Sequence, residues 1–183
     1  MKAFKHVIIL LALLFFQHCT KPVDFDQIDN ANFDAAYLFT LIHTNLTAPD
    51  FLDELNDEIY SINDVIDAKI SDDLDSILEK IEFTVTTKNT FNRSFTIKFD
   101  FLNELNTAIY TLSPVIIVPG NSLEFTTIIE IPEEDLSIIY TAKYIGATIT
   151  LIPTDDGSKL DENEASELNI KSFMKWFVNY NES

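Results

Sequence analysis

The chain has 183 residues, a formal net charge of −18, 15 phenylalanines and a single cysteine. That length fits one domain behind a targeting segment, and 46% hydrophobic residues can fill a core. The charge excludes nucleic acid as a partner, because its phosphates would repel the chain. A lone cysteine excludes an internal disulfide.

Lys2 and Lys5 open the chain, and residues 7–16 form an uncharged apolar run. Such a run suits the core of a signal peptide and falls short of the ~20 residues a bilayer span needs. Gln17 and His18 end it, and Cys19 follows with no small-x-small cleavage site nearby. This layout resembles a bacterial lipoprotein signal peptide, with Phe16-Gln17-His18 where the usual lipobox carries Leu and small residues. The resemblance implies that residues 1–18 are removed and that Cys19 is acylated, with the lipid bilayer as its partner. A plain or uncleaved signal with a chance cysteine is the other reading; the position of the one cysteine favours lipidation. Each buried acyl CH₂ contributes about 0.8 kcal/mol, so several chains anchor stably where one does not. Loss of Lys2 and Lys5 with the signal takes the charge from −18 to −20. Attachment therefore runs through acyl chains rather than a basic face on anionic headgroups.

Residues 19–32 comprise the lipidated cysteine and a polar tether rich in turn formers. Residues 33–183 are expected to form one domain. Phe33, Ala35, Tyr37, Phe39, Leu41 and His43 share one face of a first strand. Ile81, Phe83 and Val85 do so in a second, and Phe95, Ile97, Phe99 and Phe101 in a third. Leu123, Phe125, Thr127, Ile129 and Ile131 line a fourth, and Ala147, Ile149 and Leu151 a fifth. Period-two alternation rich in Thr, Ile, Val and Phe is the signature of strands with one buried face. Turn residues at 88–93 and 119–122 join neighbouring strands. Short strands at this spacing predict a mainly β chain, an antiparallel sandwich.

Pro132 followed by Glu133, Glu134 and Asp135 predicts a helix N-terminus, and the spacing of Leu136, Ile139, Tyr140 and Lys143 extends a short helix over about 132–143. It would cross one open end of the sandwich. Residues 168–180 fit either a strand lined by Leu168, Ile170, Met174, Trp176, Val178 and Tyr180 or a helix lined by Ile170, Phe173, Met174, Phe177 and Tyr180. The crowding of Phe, Trp, Val and Tyr favours the strand.

An internal repeat stands out. Residues 50–62, DFLDELNDEIYSI, recur as DFLNELNTAIYTL at 100–112. In the second copy a strand runs in at 95–101 and another runs out at 109–118, so the expected shape is a hairpin turning through Asn103-Glu104-Leu105-Asn106. One strand-turn-strand unit used twice is the favoured meaning; a ligand site shared by the two turns is the other.

Chemistry-bearing constellations are sparse. His43 is the one histidine after Cys19, and its place on an inward face predicts a buried, hydrogen-bonded core residue. No Gly-x-Ser-x-Gly elbow presents a serine, and His and Cys are too few for a zinc site. With Gly120, Gly146 and Gly157 the only glycines, no phosphate-cradling loop forms. The acidic loop at 154–164 offers oxygen ligands for calcium, yet its spacing fails the EF-hand pattern and predicts a solvated loop. No catalytic, cofactor or metal residue is assigned, and no cofactor is expected. Asp75-Ser76-Ile77 fits the Asp-Ser/Thr-apolar pattern of O-glycosylation in exported proteins of Bacteroidota, a short tripeptide with a high chance frequency, so Ser76 is a low-ranked modification site.

The loose lipobox, the Asp24-Phe25-Asp26 tether, Phe- and Asn-rich strands such as residues 89–96, and the late helix together resemble small uncharacterised lipoproteins of Bacteroidota. That resemblance implies an immunoglobulin-like β-sandwich, export, and a lipid anchor at the outer membrane, with its periplasmic or surface orientation open. The function expected is a non-enzymatic interaction or accessory module that binds an envelope protein or glycan. A carrier of an apolar ligand between the sheets is the alternative, followed by a hydrolase using an acidic pair.

Overall fold

The computed structural model describes residues 32–67, 77–154 and 157–181. The expected signal peptide at 1–18, Cys19, the expected tether up to residue 31, and Ser76 lie outside the described residues.

Among the described residues, nine strands form in chain order: β1 (Asn32–Thr47), β2 (Ser61–Asp67), β3 (Leu78–Asn89), β4 (Phe95–Leu102), β5 (Ala108–Thr111), β6 (Ile116–Val118), β7 (Ser122–Ile131), β8 (Tyr144–Leu151) and β9 (Glu167–Asn181). One sheet has the order β1-β9-β3-β7. The other has β2-β8-β4-β5, with β6 also on β4. The ladders β2–β8, β3–β7, β3–β9, β4–β5, β4–β6 and β4–β8 are antiparallel. Contacts between β1 and β9 run the same way, from Phe39 against Trp176 to Asn45 bonded to Glu167.

The pairing is nested. β1 lies on β9, β2 on β8, β3 on β7, and β4 on β5 and β6. The chain is thus one long hairpin with its tip at Asn103–Asn106, rolled so that β3 also meets β9 and β4 also meets β8. This is the double-sheet jelly roll. The expected antiparallel sandwich with one helix is present. Its connectivity refines the immunoglobulin-like expectation, since immunoglobulin sheets group their strands differently.

The predicted alternation locates the core. Ile81, Phe83, Val85, Phe95, Ile97, Phe99, Phe101, Ile129, Ile131, Ala147, Ile149 and Leu151 are all buried. Phe83 of one sheet meets Phe99 of the other with ring centroids 4.6 Å apart. Phe51, Phe91 and Phe95 form a second cluster at 5.0–6.1 Å. Full burial of a side chain this size contributes about 1.5–3 kcal/mol. The middle of the sandwich is filled by these rings. Residues Phe33–Tyr180 form one compact unit.

The run expected at 109–118 divides into β5 and β6, because Pro114, with no N–H to give a ladder, interrupts it. The segment at 168–180 is a strand, with Leu168, Ile170, Met174, Trp176 and Val178 buried on one face. The helix, α1, spans Glu133–Ile139 with Pro132 as N-cap and three acids in its first turn. It ends before Lys143 because the Lys143 N–H donates to the Leu102 carbonyl at 2.8 Å, which draws the chain into β8. Leu136 and Ile139 face the core, where α1 crosses from one sheet to the other.

His43 departs from expectation: it is exposed. On β1 the residues packed on the core include Leu41, Ile42 and Leu46. Strict alternation therefore breaks after Leu41, and His43 falls on the solvent side of an edge strand.

Candidate functional site

The turns of the repeat, 53–57 and 103–107, fold alike, but their flanks differ. A 3-10 helix at Ala48–Phe51 and an isolated Leu52–Glu58 bridge hold the first, where β4 and β5 hold the second, so the expected strand-turn-strand unit is complete only in the second copy. The Asp53 N–H donates to the Asp57 carbonyl at 2.9 Å, and the Asn103 N–H to that of Thr107 at 3.0 Å. The side chain of Asp53 accepts from the N–H groups of Leu55 and Asp57, and that of Asn103 from Leu105 and Thr107. Asn56 and Asn106 close the turns at φ values of 61° and 56°, a conformation asparagine tolerates better than most residues. Each turn leaves a leucine in water, Leu55 at 82% and Leu105 at 84% exposure.

The two turns lie at opposite ends of one sheet. The first leads into Ser61, which pairs with Thr150 beside Thr96; the second follows Leu102, which pairs with Tyr144. The eight residues of β4 separate those ends, a distance of roughly 24 Å at strand rise. A shared site is therefore not formed. Each turn borders its own open cavity: one of about 350 Å³ lined by Leu52, Asp53 and Asn56, the other of about 550 Å³ lined by Leu105, Tyr140 and Lys143.

The most enclosed polar cluster surrounds Arg93, the chain's single arginine. Its Nη1 donates to Glu58 Oε1 at 2.8 Å and to the Ser158 carbonyl at 2.9 Å, while Nε and Nη2 reach the Ile152 carbonyl. The Leu160 N–H also donates to Glu58. The Arg93 and Glu58 side chains are 5% and 3% exposed. Burial alone would raise the Glu58 carboxyl; the hydrogen bonds and charge of Arg93, with the Leu160 N–H, outweigh burial and hold it below its ordinary value. Every branch of the guanidinium is engaged, so the cluster works as a clamp tying the β3–β4 turn to the loops before β2 and after β8. Nearby, a Cβ on Gly120 would come within 3.0–3.1 Å of the Asn92 and Arg93 backbone, so that turn requires glycine.

Several other acids are similarly occupied. Glu82 and Glu130 face each other across β3 and β7, with the Lys80 ammonium between them at 3.0 and 3.3 Å; their hydrogen bonds raise the lysine's pKa. In the acidic loop, Lys159 bonds Asp57, while Asp161 accepts from Asn163 and Glu164 from Ser166. Asp155 and Asp156 lie outside the described residues. Among the described residues, no group of three or more His, Cys, Asp and Glu side chains is placed to hold a metal ion.

The remaining feature is the free edge at β1. Among the described residues it pairs on one side only, with β9. Residues 35–46 carry no Asp, Glu, Lys or Arg, and Leu38 and Phe39 are 64% and 39% exposed. Alternation gave no warning of this edge, since which strand ends a sheet depends on pairings far apart in sequence.

Fold and surface together define a jelly-roll domain with, among the described residues, one uncharged open edge. No protein-family model and no curated protein sequence matches the chain. Among solved structures, it is similar to a protein from Parabacteroides distasonis classed as a secreted-protein candidate, at 18% identity and TM-score 0.48 over 63% of this chain and 37% of that one. It is also similar to the VP2 subviral particle of infectious bursal disease virus, at 11% identity and TM-score 0.41 over 79% of this chain and 32% of that one. The chain thus spans about a third of their length. With TM-scores below 0.5, these likenesses do not bear on what the chain does. No described helix is long and apolar enough to cross a membrane.

Proposed function

We propose that this chain is an exported lipoprotein, anchored at the outer membrane through acylated Cys19, and that its domain acts by binding rather than catalysis. The observation that carries the binding role is the β1 edge. Among the described residues its backbone pairs on one side only, its side chains are uncharged over residues 35–46, and Leu38 is 64% exposed. Soluble proteins normally blunt such an edge with lysine, proline or a covering loop. Among the partners expected, a protein fits this feature better than a glycan, because the free backbone groups of a strand pair with another strand. The engagement of Glu58, Glu82, Glu130 and Asp161 by their own neighbours leaves the acidic-pair hydrolase without a free pair among them. The Phe83–Phe99 contact occupies the space that an apolar cargo between the sheets would need.

Two measurements test this. Labelling with a palmitate analogue is expected to mark the wild type and to be lost in Cys19→Ala, with release from membranes; unchanged labelling would overturn the anchor. A photo-crosslinking residue in place of Thr40 is expected to capture a protein saturably in the envelope. No adduct above that formed by the same residue at Glu124 would overturn the binding role.

A further inference from the structure

We infer that the β1 edge binds a second copy of the same chain, β1 against β1 antiparallel, joining two four-stranded sheets into one continuous sheet across a twofold axis. This rests on the binding reading above and names its partner.

The argument is a comparison of edges. The two sheets end in β1, β7, β2 and the interrupted pair β5 and β6. β7 carries Glu124 and Glu130, and β2 carries Asp64 and Asp67. β5 and β6 have four and three residues with Pro114 between them. Those three edges are protected in the usual ways, by charge, shortness and proline. β1 has 16 residues, and its uncharged stretch covers most of them.

The choice of occupant follows from charge. In a twofold contact a patch meets itself, so any carboxylate on it meets its own copy or a close neighbour. A chain of net charge −18 repels its copies everywhere that acids crowd the surface. The strip over residues 35–46 is where that repulsion is removed. A basic partner would be selected by an acidic strip, which β7 and β2 offer and β1 does not. Antiparallel strands also match their own donors and acceptors, since alternate residues direct both N–H and C=O to the open side.

The test is the solution mass of the full chain, purified in detergent with reductant present, so that a Cys19 disulfide cannot mimic the contact. Wild type is expected to sediment with twice the protein mass of one chain. Thr40→Lys and Leu38→Lys, both at exposed positions on β1, are expected to weaken the dimer about tenfold or more, since each lysine would meet its copy. Glu124→Lys on the opposite edge is expected to leave it intact, and circular dichroism checks that the variants fold. Cys19→Ala is expected to dimerise like wild type, which separates this inference from the anchor. Monomeric wild type at tens of micromolar would overturn the inference, as would a dimer indifferent to both lysines. A Thr40 photo-adduct that joins β1 to a different protein and never to another copy would also overturn it, while leaving the binding role in place.

Discussion

The Arg93 guanidinium and the Glu58 carboxylate meet at 2.8 Å with both side chains almost wholly out of water. They fasten together three segments that the strand ladders leave loose: the β3–β4 turn, the entry to β2 and the exit from β8. Removing one partner strands a buried charge, which costs about 3–5 kcal/mol. Arg93→Met or Glu58→Leu alone is expected to lower stability by about that much in urea denaturation. The double variant is expected to recover most of the loss, since an apolar pair of similar volume often replaces a buried ion pair without cost. Equal losses in all three variants would show that the clamp acts through its carbonyl contacts instead.

The same pair sets a pH dependence. Glu58 is held below its ordinary value in the folded chain, so its contribution is fully present above the unfolded carboxylate value of about 4.3. It is lost as pH falls through the lower folded value. Wild-type stability is expected to fall across that acid range more steeply than that of Glu58→Gln. The comparison is made against the variant because protonating the other acids relieves repulsion and acts in the opposite sense.

The repeated turn predicts additive effects. Asn56 and Asn106 both sit at positive φ, where alanine costs about 1–2 kcal/mol and glycine costs little. Asn56→Ala and Asn106→Ala are each expected to destabilise by about 1 kcal/mol, and their effects should sum, because sites more than about 10 Å apart rarely couple. A coupling well beyond measurement error would revive a site shared by the turns.

The filled interior predicts a large loss on emptying it. Phe99→Ala is expected to cost about 3–5 kcal/mol, the usual penalty for a buried ring. A loss below about 1 kcal/mol would mean that the sheets already enclose space, and would favour the carrier.

Much of this fold was legible in sequence because its strands announce themselves locally. The buried faces of β3, β4, β8 and β9 follow the period of two almost residue by residue, and Pro132 with its trailing acids marks where α1 starts, though the helix stops at Ile139, short of the expected 143. What was hidden is what depends on distance. The partnership of β1 with β9, which makes the roll, joins residues more than a hundred positions apart and leaves no trace in either strand. The Arg93–Glu58 clamp is similar; its only signal was a single arginine placed in a turn. His43 was misplaced because an edge strand has only one neighbour to hold its alternation in register. The edge itself became visible only once the order of strands was known.

Hydrogen–deuterium exchange of the full chain over a range of protein concentrations tests the central claim most directly. Amides in residues 35–46 are expected to gain protection as concentration rises, while those of β7 over residues 122–131 stay constant. Exchange in β1 that does not change with concentration, or protection that rises equally on both edges, would contradict the account.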